Sequence, residues 1–139
     1  MAVPRLVART EDLPVGMLVS LGCAEPMAPE VQAAYDAPFP DASYKAGPRA
    51  FPDLIPQDAD NPATPDNVRA WQLLAGFGKP FLCAFSDSDP ITAGGERTLI
   101  GRIPGAAGQP HTTIVGGGHF LQEDRGEELA RLVAEWAGG

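Results

Sequence analysis

The sequence predicts an α/β fold in which the strands are parallel. From residue 61 onward, helical and strand-like patterns alternate, in the order helix, strand, helix, strand, helix. The run at 81–85 is continuously apolar, which is typical of a strand buried on both faces of a parallel sheet. A second, β-branched strand is predicted at 111–115. Because two strands are too few for a complete parallel sheet, we expect the C-terminal end of a larger α/β fold.

Three helices are predicted around these strands. The first begins at 64–66, where an N-cap residue, a proline and an acid follow one another, and it ends at Gly76. A short second helix is expected over 96–103. The last helix is amphipathic, with an apolar face formed by Leu129, Leu132, Val133 and Trp136. The first turns of this helix contain four acids, whose negative charges interact favourably with the positive end of the helix dipole: Glu123, Asp124, Glu127 and Glu128.

The first 60 residues have a different character. They are rich in proline, and short helices are expected after Pro14 and at 29–35. The stretch 37–41 can only be extended or a turn, because it contains two prolines. We therefore expect two segments, 1–60 and 61–139, which meet at a polar linker over 57–65.

Composition and charge exclude several classes of protein. The 139 residues are 44% hydrophobic, as in a soluble globular protein, and contain no apolar run long enough to span a bilayer. The net charge of −8 argues against binding to nucleic acids or to anionic membranes. Cys23 and Cys83 lack the spacing of metal ligands and are expected to be thiols in a reducing cytoplasm. The apolar segment at 15–21 is too short, and too close to Glu11 and Asp12, to predict a signal peptide.

Polar side chains follow both predicted strands. Asp87 and Asp89 come after the first, and His119 comes after the second. The carboxyl ends of parallel strands meet at one edge of a sheet, where ligands bind. An acid that accepts a hydrogen bond from one ring nitrogen would orient the histidine and stabilise its charged form, so that the other nitrogen can take a proton. The alternative is that both acids cap a turn and His119 is an ordinary loop histidine. We expect the other histidine, His111, to be solvated at the start of its strand.

Several stretches carry a resemblance to a known family. They are 35–41 (Tyr-Asp-Ala-Pro-Phe-Pro-Asp), 44–47 (Tyr-Lys-Ala-Gly), 49–52 (Arg-Ala-Phe-Pro), 89–91 (Asp-Pro-Ile), 103–106 (Ile-Pro-Gly-Ala) and 118–124 (Gly-His-Phe-Leu-Gln-Glu-Asp). In these stretches the sequence resembles the haloalkane dehalogenases, which have the α/β-hydrolase fold. The resemblance extends over nearly the whole chain and implies the C-terminal part of that fold, with its last parallel strands and flanking helices. Residues from about 10 to 55 resemble the later part of the helical cap.

The resemblance also implies a mechanism without a cofactor or metal ion. In that family an aspartate displaces halide from carbon and forms an alkyl-enzyme ester, and a histidine held by a second acid activates the water that hydrolyses it. His119 would be the general base, and Asp89, rather than Asp87, would be the supporting acid. The substrate would be a small apolar halogenated compound, in an apolar pocket lined by Phe51, Pro52, Ile55 and Ile91.

The chain departs from the family pattern in one respect that matters for catalysis. The nucleophile, an aspartate followed by tryptophan, is absent, and there is no G-x-S-x-G motif. We therefore expect no halide release from this chain alone. Trp71 and Trp136 lie on amphipathic helices and are expected to be core residues rather than halide ligands.

Two other functions stay open at this point. One is a non-catalytic remnant or binding module, whose incomplete sheet could pair with a partner or with a second copy through its exposed edge. The other is an epoxide hydrolase or esterase of the same fold. Tyr35 and Tyr44 could then polarise an epoxide oxygen, although their Ala-Pro-Phe-Pro-Asp context fits a dehalogenase cap better.

Overall fold

The computed structural model describes residues 10–56 and 58–138. Residues 1–9 and Gln57, which belong to the predicted cap segment, lie outside the described residues. The chain divides into two compact units. The first contains the described residues up to Val19 and Met27–Trp71, and the second contains Ser20–Pro26 and the described residues from Gln72 onward.

The first unit consists of short helices and turns. Its helices are α1 (Val15–Gly22, whose last residues belong to the second unit), α2 (Pro29–Asp36), α3 (Ala46–Ala50) and most of α4 (Thr64–Leu74), and 3₁₀ turns lie at Ala42–Lys45 and Phe51–Leu54. The backbone N–H of Gly16 in α1 donates to the Asp36 carboxylate of α2 at 2.9 Å. A Cβ atom on Gly16 would lie 2.2 Å from the carbonyl oxygen of Gln32, so α1 and α2 can approach this closely only because residue 16 is glycine.

The second unit contains two parallel strands, which confirms the predicted fold class. β1 (Ala84–Ser86) pairs with β2 (Thr112–Ile114), and Phe85 lies opposite Thr113. Between them lies α5 (Gly95–Arg102), and the unit ends with α6 (Leu121–Gly138), which contacts both strands. The core of this unit is formed by Cys83, Ile103, Ala106 and Ile114, whose side chains are almost completely buried.

β1 is shorter than the predicted strand at 81–85, because two of its expected backbone donors are used elsewhere. The N–H of Phe81 donates to the carbonyl of Gly105 at 2.9 Å. The N–H of Cys83 donates to a side chain, the Nδ1 atom of His111, at 3.0 Å. Regular pairing therefore begins only at Ala84.

The prediction that His111 is solvated is wrong. Its ring is half-buried and bridges two backbone groups: Nδ1 accepts from Cys83, and Nε2 lies 2.9 Å from the carbonyl oxygen of Ala106. Since the Cys83 N–H needs an acceptor, the proton of the neutral ring is on Nε2, from which it is donated to Ala106.

We expect His111→Ala to lower the free energy of unfolding by about 1–3 kcal/mol, because it leaves the buried N–H of Cys83 without a partner, whereas the Ala106 carbonyl still accepts the N–H of Gln109 at 3.2 Å. His111→Asn should lose less, since its Oδ1 atom can replace Nδ1 as the acceptor for Cys83. Urea unfolding of the three proteins measures the difference. Equal stability of His111→Ala and the unaltered chain would show that the bridge contributes nothing.

α6 contacts both strands, but its predicted apolar face is not completely buried, and Val133 is 45% exposed. Its helical path is interrupted at Arg125 (φ −140°, ψ 36°), where the side-chain Nε donates to the carbonyl of Val115 at 3.1 Å. Beyond this kink an open apolar groove of about 440 Å³ lies beside β1, and its lining includes Phe77, Phe81, Phe85, Leu129, Val133 and Trp136. Trp136 is half-buried, and its indole N–H donates to the side chain of Gln109 at 2.8 Å. Of the helices within the described residues, none has the length and apolar character to cross a membrane.

Candidate active site

Asp89 lies in the loop after β1, and its carboxylate is held by the turn that follows it. The residue is only 6% exposed. Oδ1 accepts the backbone N–H of Ile91 at 2.7 Å, and Oδ2 accepts the hydroxyl of Thr92. An aspartate that bonds the backbone two residues ahead forms a tight local turn, so the orientation of this carboxylate is fixed by its own loop.

His119 lies at the end of the loop after β2, and hydrogen bonds fix the backbone of this loop. The N–H of His119 donates to the carbonyl of Gly22 at 2.7 Å. The preceding residue, Gly118, accepts the hydroxyl of Ser86 at 2.8 Å. A Cβ atom on Gly118 would lie 2.6 Å from the carbonyl oxygen of Gly22 and from the N atom of Ala24, so this approach requires glycine.

The structure brings His119 and Asp89 together. The Nδ1 atom of His119 lies 3.2 Å from Oδ2 of Asp89, and the histidine side chain is 31% exposed. A carboxylate only accepts hydrogen bonds, so Nδ1 carries the proton and Nε2 has the lone pair. This arrangement leaves Nε2 as the ring atom that can take a proton from a bound molecule.

The charge of Asp89 suits a partner of a histidine. Burial raises the pKa of this carboxyl group, but hydrogen bonds from Thr92, Ile91 and His119 outweigh burial and lower the pKa to about 2. The carboxyl group is therefore ionised at neutral pH. It both orients the imidazole and favours the imidazolium that forms when Nε2 is protonated.

The low pKa of Asp89 predicts a loss of stability in acid. A group whose pKa is lower in the folded state contributes stability that is complete above its ordinary pKa of about 3.9 and is lost as the pH falls toward the folded value. For Asp89 this range runs from about pH 4 down to about pH 2. We expect the free energy of unfolding to fall less over this range in Asp89→Asn than in the unaltered chain, as measured by urea unfolding. An equal fall in the free energy of unfolding of both proteins would show that the ionised Asp89 carboxylate does not stabilise the folded chain.

Asp87 has a different role from Asp89. It is exposed, and its Oδ1 atom accepts the backbone N–H of Gly116 at 2.8 Å and the hydroxyl of Ser88 at 2.9 Å. Both hydrogen bonds lower the pKa of Asp87, and the bond from the Gly116 N–H has the larger effect. Asp87 thus connects the loop after β1 to the loop after β2.

The four residues predicted to line the substrate pocket are divided between the two units. Phe51, Pro52 and Ile55 lie in the first unit, where Phe51 is 68% and Ile55 52% exposed and Pro52 is half-buried. Ile91 lies in the second unit, directly after the turn that holds Asp89, and is 59% exposed. None of the four lines the apolar groove beside β1. Their role in substrate binding stays a prediction.

Sequence reasoning does not find one polar residue of this region. The sequence explains Asp124 by the helix dipole alone, whereas in the structure its Oδ2 atom accepts the backbone N–H groups of Gly118 at 2.7 Å and Ala24 at 2.9 Å. Burial raises the pKa of Asp124, but hydrogen bonds from the backbone amides of Ala24, Gly118 and Glu25 outweigh this effect. The pKa of Asp124 is therefore below its ordinary value. Charge patterning carries no signal for such contacts, because Ala24 is 100 residues away in the sequence.

Comparison with known proteins adds to this geometry. No family model matches the chain. Over 122 residues the chain is 51% identical to a haloalkane dehalogenase of Psychrobacter cryohalolentis, a match that covers 88% of the chain. It is 51% identical over 124 residues to a haloalkane dehalogenase of Mycobacterium marinum, and 50% identical over 124 residues to haloalkane dehalogenase 1 of Mycobacterium tuberculosis. Each of these two matches covers 89% of the chain.

Over nearly nine-tenths of its length the chain is similar in sequence to haloalkane dehalogenases. This confirms the resemblance inferred from the motifs and identifies the fold as the C-terminal part of an α/β-hydrolase fold, in agreement with the small parallel sheet of the second unit. The matches cover 40%, 41% and 41% of the three relatives, so the chain spans about two-fifths of their length.

Proposed function

We propose that this chain supplies the general base and the supporting acid of a hydrolase that cleaves carbon–halogen bonds. One observation carries the proposal: His119 and Asp89 are paired at 3.2 Å, within a chain that is about half identical to haloalkane dehalogenases. His119 is the base, and Asp89 orients it and stabilises its charged form. An aspartate nucleophile is absent from the sequence of this chain, so the complete reaction needs one from elsewhere.

The two groups act in the second half of the proposed reaction. First, the nucleophilic carboxylate attacks the carbon that bears the halogen, a C–O bond forms, and the C–halogen bond breaks as halide leaves. Nε2 of His119 then takes a proton from water while the water oxygen attacks the ester carbonyl. Collapse of the tetrahedral intermediate expels the alcohol, whose oxygen takes the proton from the imidazolium, and the carboxyl group of the nucleophile releases the second proton of the water to solvent, which restores the carboxylate. No step needs a cofactor or a metal ion.

The proposed substrate is a small apolar halogenated compound. Phe51, Pro52, Ile55 and Ile91 have apolar side chains suited to such a molecule, and Phe51 and Ile55 are exposed enough to contact one. In this proposal the segment 1–60 is part of the helical cap. The segment 61–139 is the C-terminal part of the core, in a protein of the cytoplasm.

A hybrid protein tests the proposal. In the haloalkane dehalogenase of Psychrobacter cryohalolentis, the region matched by this chain is replaced by the corresponding residues of this chain. Bromide and alcohol are then measured during incubation with a short bromoalkane. We expect the hybrid to release both products in equal amounts, and the present chain alone to release neither.

The same experiment separates the alternative functions. Turnover of an epoxide to a diol without bromide release would favour an epoxide hydrolase, and turnover of an ester alone would favour an esterase. A hybrid that unfolds cooperatively, like its parent, but shows no activity would contradict the proposed function and favour a non-catalytic remnant or binding module.

A further inference from the structure

Hydrogen bonds before and after His119 connect its loop to the segment Gly22–Ala24. On one side, the carbonyl of Gly22 accepts the N–H groups of His119 at 2.7 Å and Phe120 at 3.2 Å. On the other side, the carboxylate of Asp124 accepts the N–H groups of Gly118 and Ala24. The Asp124 carboxylate and these two amides are called the carboxylate bridge below.

The carboxylate bridge lies directly next to the catalytic pair. Gly118 precedes His119 in the chain, and its carbonyl accepts the hydroxyl of Ser86, the last residue of β1. The backbone of Gly118 is thus held at its N–H by Asp124 and at its carbonyl by Ser86. A hydrogen bond between an amide and an ionised acid is stronger than one between neutral groups, so Asp124 is the stronger of these two restraints.

The distance between His119 and Asp89 leaves little room for movement of this loop. At 3.2 Å, the Nδ1–Oδ2 contact is at the long end of ordinary N–H···O hydrogen bonds. Asp89 is fixed by its own turn through Ile91 and Thr92. A shift of the His119 backbone by a few tenths of an ångström would therefore weaken the hydrogen bond between His119 and Asp89, because Asp89 is held in place and cannot follow.

We propose that Asp124 is a positioning residue for His119. Asp124 acts through the amide of Gly118 and keeps the Nδ1 atom of His119 directed at Asp89. The proposal deepens the proposed function, because it assigns the residue that sets the geometry of the general base. Asp124 itself touches no reacting atom. The negative charges of Asp124 and Glu123 in the first turn of α6 also interact favourably with the helix dipole. That interaction alone does not orient His119.

The test uses nitrogen NMR of the imidazole rings in the chain as it stands, together with exchange of backbone amide hydrogens. In Asp124→Ala we expect the neutral ring of His119 to shift from the Nδ1–H form toward a mixture of both forms. Exchange of the Gly118 and Ala24 amides should quicken about 10-fold or more, since both lose their acceptor. His111 should keep its signals, because its partners Cys83 and Ala106 lie outside the carboxylate bridge.

Two further variants separate positioning from the dipole and from folding. Glu123→Gln removes a charge from the same turn of α6, and we expect it to leave the His119 signals unchanged. Asp124→Asn retains an acceptor oxygen without the charge, so it should give a smaller shift than Asp124→Ala, and it decides the question if Asp124→Ala does not fold. The proposal is overturned if the folded Asp124 variants leave the His119 signals unchanged, or if Glu123→Gln shifts them as much.

The hybrid protein gives a second readout. We expect Asp124→Asn to lower kcat about 10-fold or more with little change in KM, because misplacement of a catalytic group by about 1 Å can cost about 100-fold in rate. Failure of the unaltered hybrid to release halide would count against the proposed function alone. The NMR result would still decide whether Asp124 positions His119.

Discussion

The variant His119→Gln of the hybrid protein is expected to release one halide ion per molecule and then stop. Displacement of halide needs only the nucleophilic carboxylate, whereas hydrolysis of the ester needs a base that takes a proton from water. Glutamine has no group that can act as this base, so steady turnover should fall by about 10³-fold or more. The measurements are bromide release during the first turnovers and the mass of the protein, which should increase by one alkyl group in place of a hydrogen.

The other histidine of the chain provides the control for this variant. His111→Asn removes an imidazole from the same unit but leaves the Asp89–His119 pair intact, and it should turn over continuously. Continuous turnover by His119→Gln, at a rate close to that of the unaltered hybrid, would show that another group activates the water.

The second large effect is expected for Asp89→Asn. Loss of the carboxylate removes the charge that stabilises the imidazolium and frees the neutral ring to adopt the other tautomer, with its proton on Nε2. That form cannot accept a proton from water at Nε2. We expect kcat in the hybrid to fall by about 10²–10⁴-fold, by analogy with the loss of the orienting acid in serine proteases. Steady-state bromide release measures the effect.

Asp87→Asn is the matched control, because the same substitution is made two residues earlier in the same loop. Its side chain bonds Gly116 and Ser88 rather than the histidine, so a change in activity of less than about 10-fold is expected. If Asp87→Asn lowered kcat as much as Asp89→Asn, either the wrong acid has been assigned or both substitutions act by disturbing the loop.

The sequence predicts the order of elements and the direction of the strands well, and it predicts the details that depend on distant partners poorly. The apolar run at 81–85 correctly indicates a strand of a parallel sheet. It gives no sign that the Phe81 and Cys83 amides bond to Gly105 and His111, which shortens β1. His111 looks like a solvated residue at the start of a strand, because sequence pattern does not reveal that a ring can serve as an acceptor within a backbone network.

The candidate site shows the same division. The rule that polar residues after neighbouring parallel strands lie close together leads directly to Asp89 and His119. Strand ends alone do not distinguish Asp89 from Asp87, and family resemblance was needed to prefer one. In the structure Asp89 is buried beside His119, and Asp87 is exposed and holds Gly116. Asp124 could not be found from its own helix, since its partners Gly118 and Ala24 both lie outside that helix.

If Asp89 orients His119 for a proton transfer at Nε2, the two histidines should carry their protons on different ring nitrogens. Nitrogen chemical shifts are measured for both rings in their neutral state. We expect opposite forms: His119 with its proton on Nδ1, facing Asp89, and His111 with its proton on Nε2, facing Ala106. In Asp89→Asn, only the His119 signals should move. A neutral His119 with its proton on Nε2 in the unaltered chain would show that Asp89 does not orient the ring for this transfer, because that nitrogen could then not act as the base.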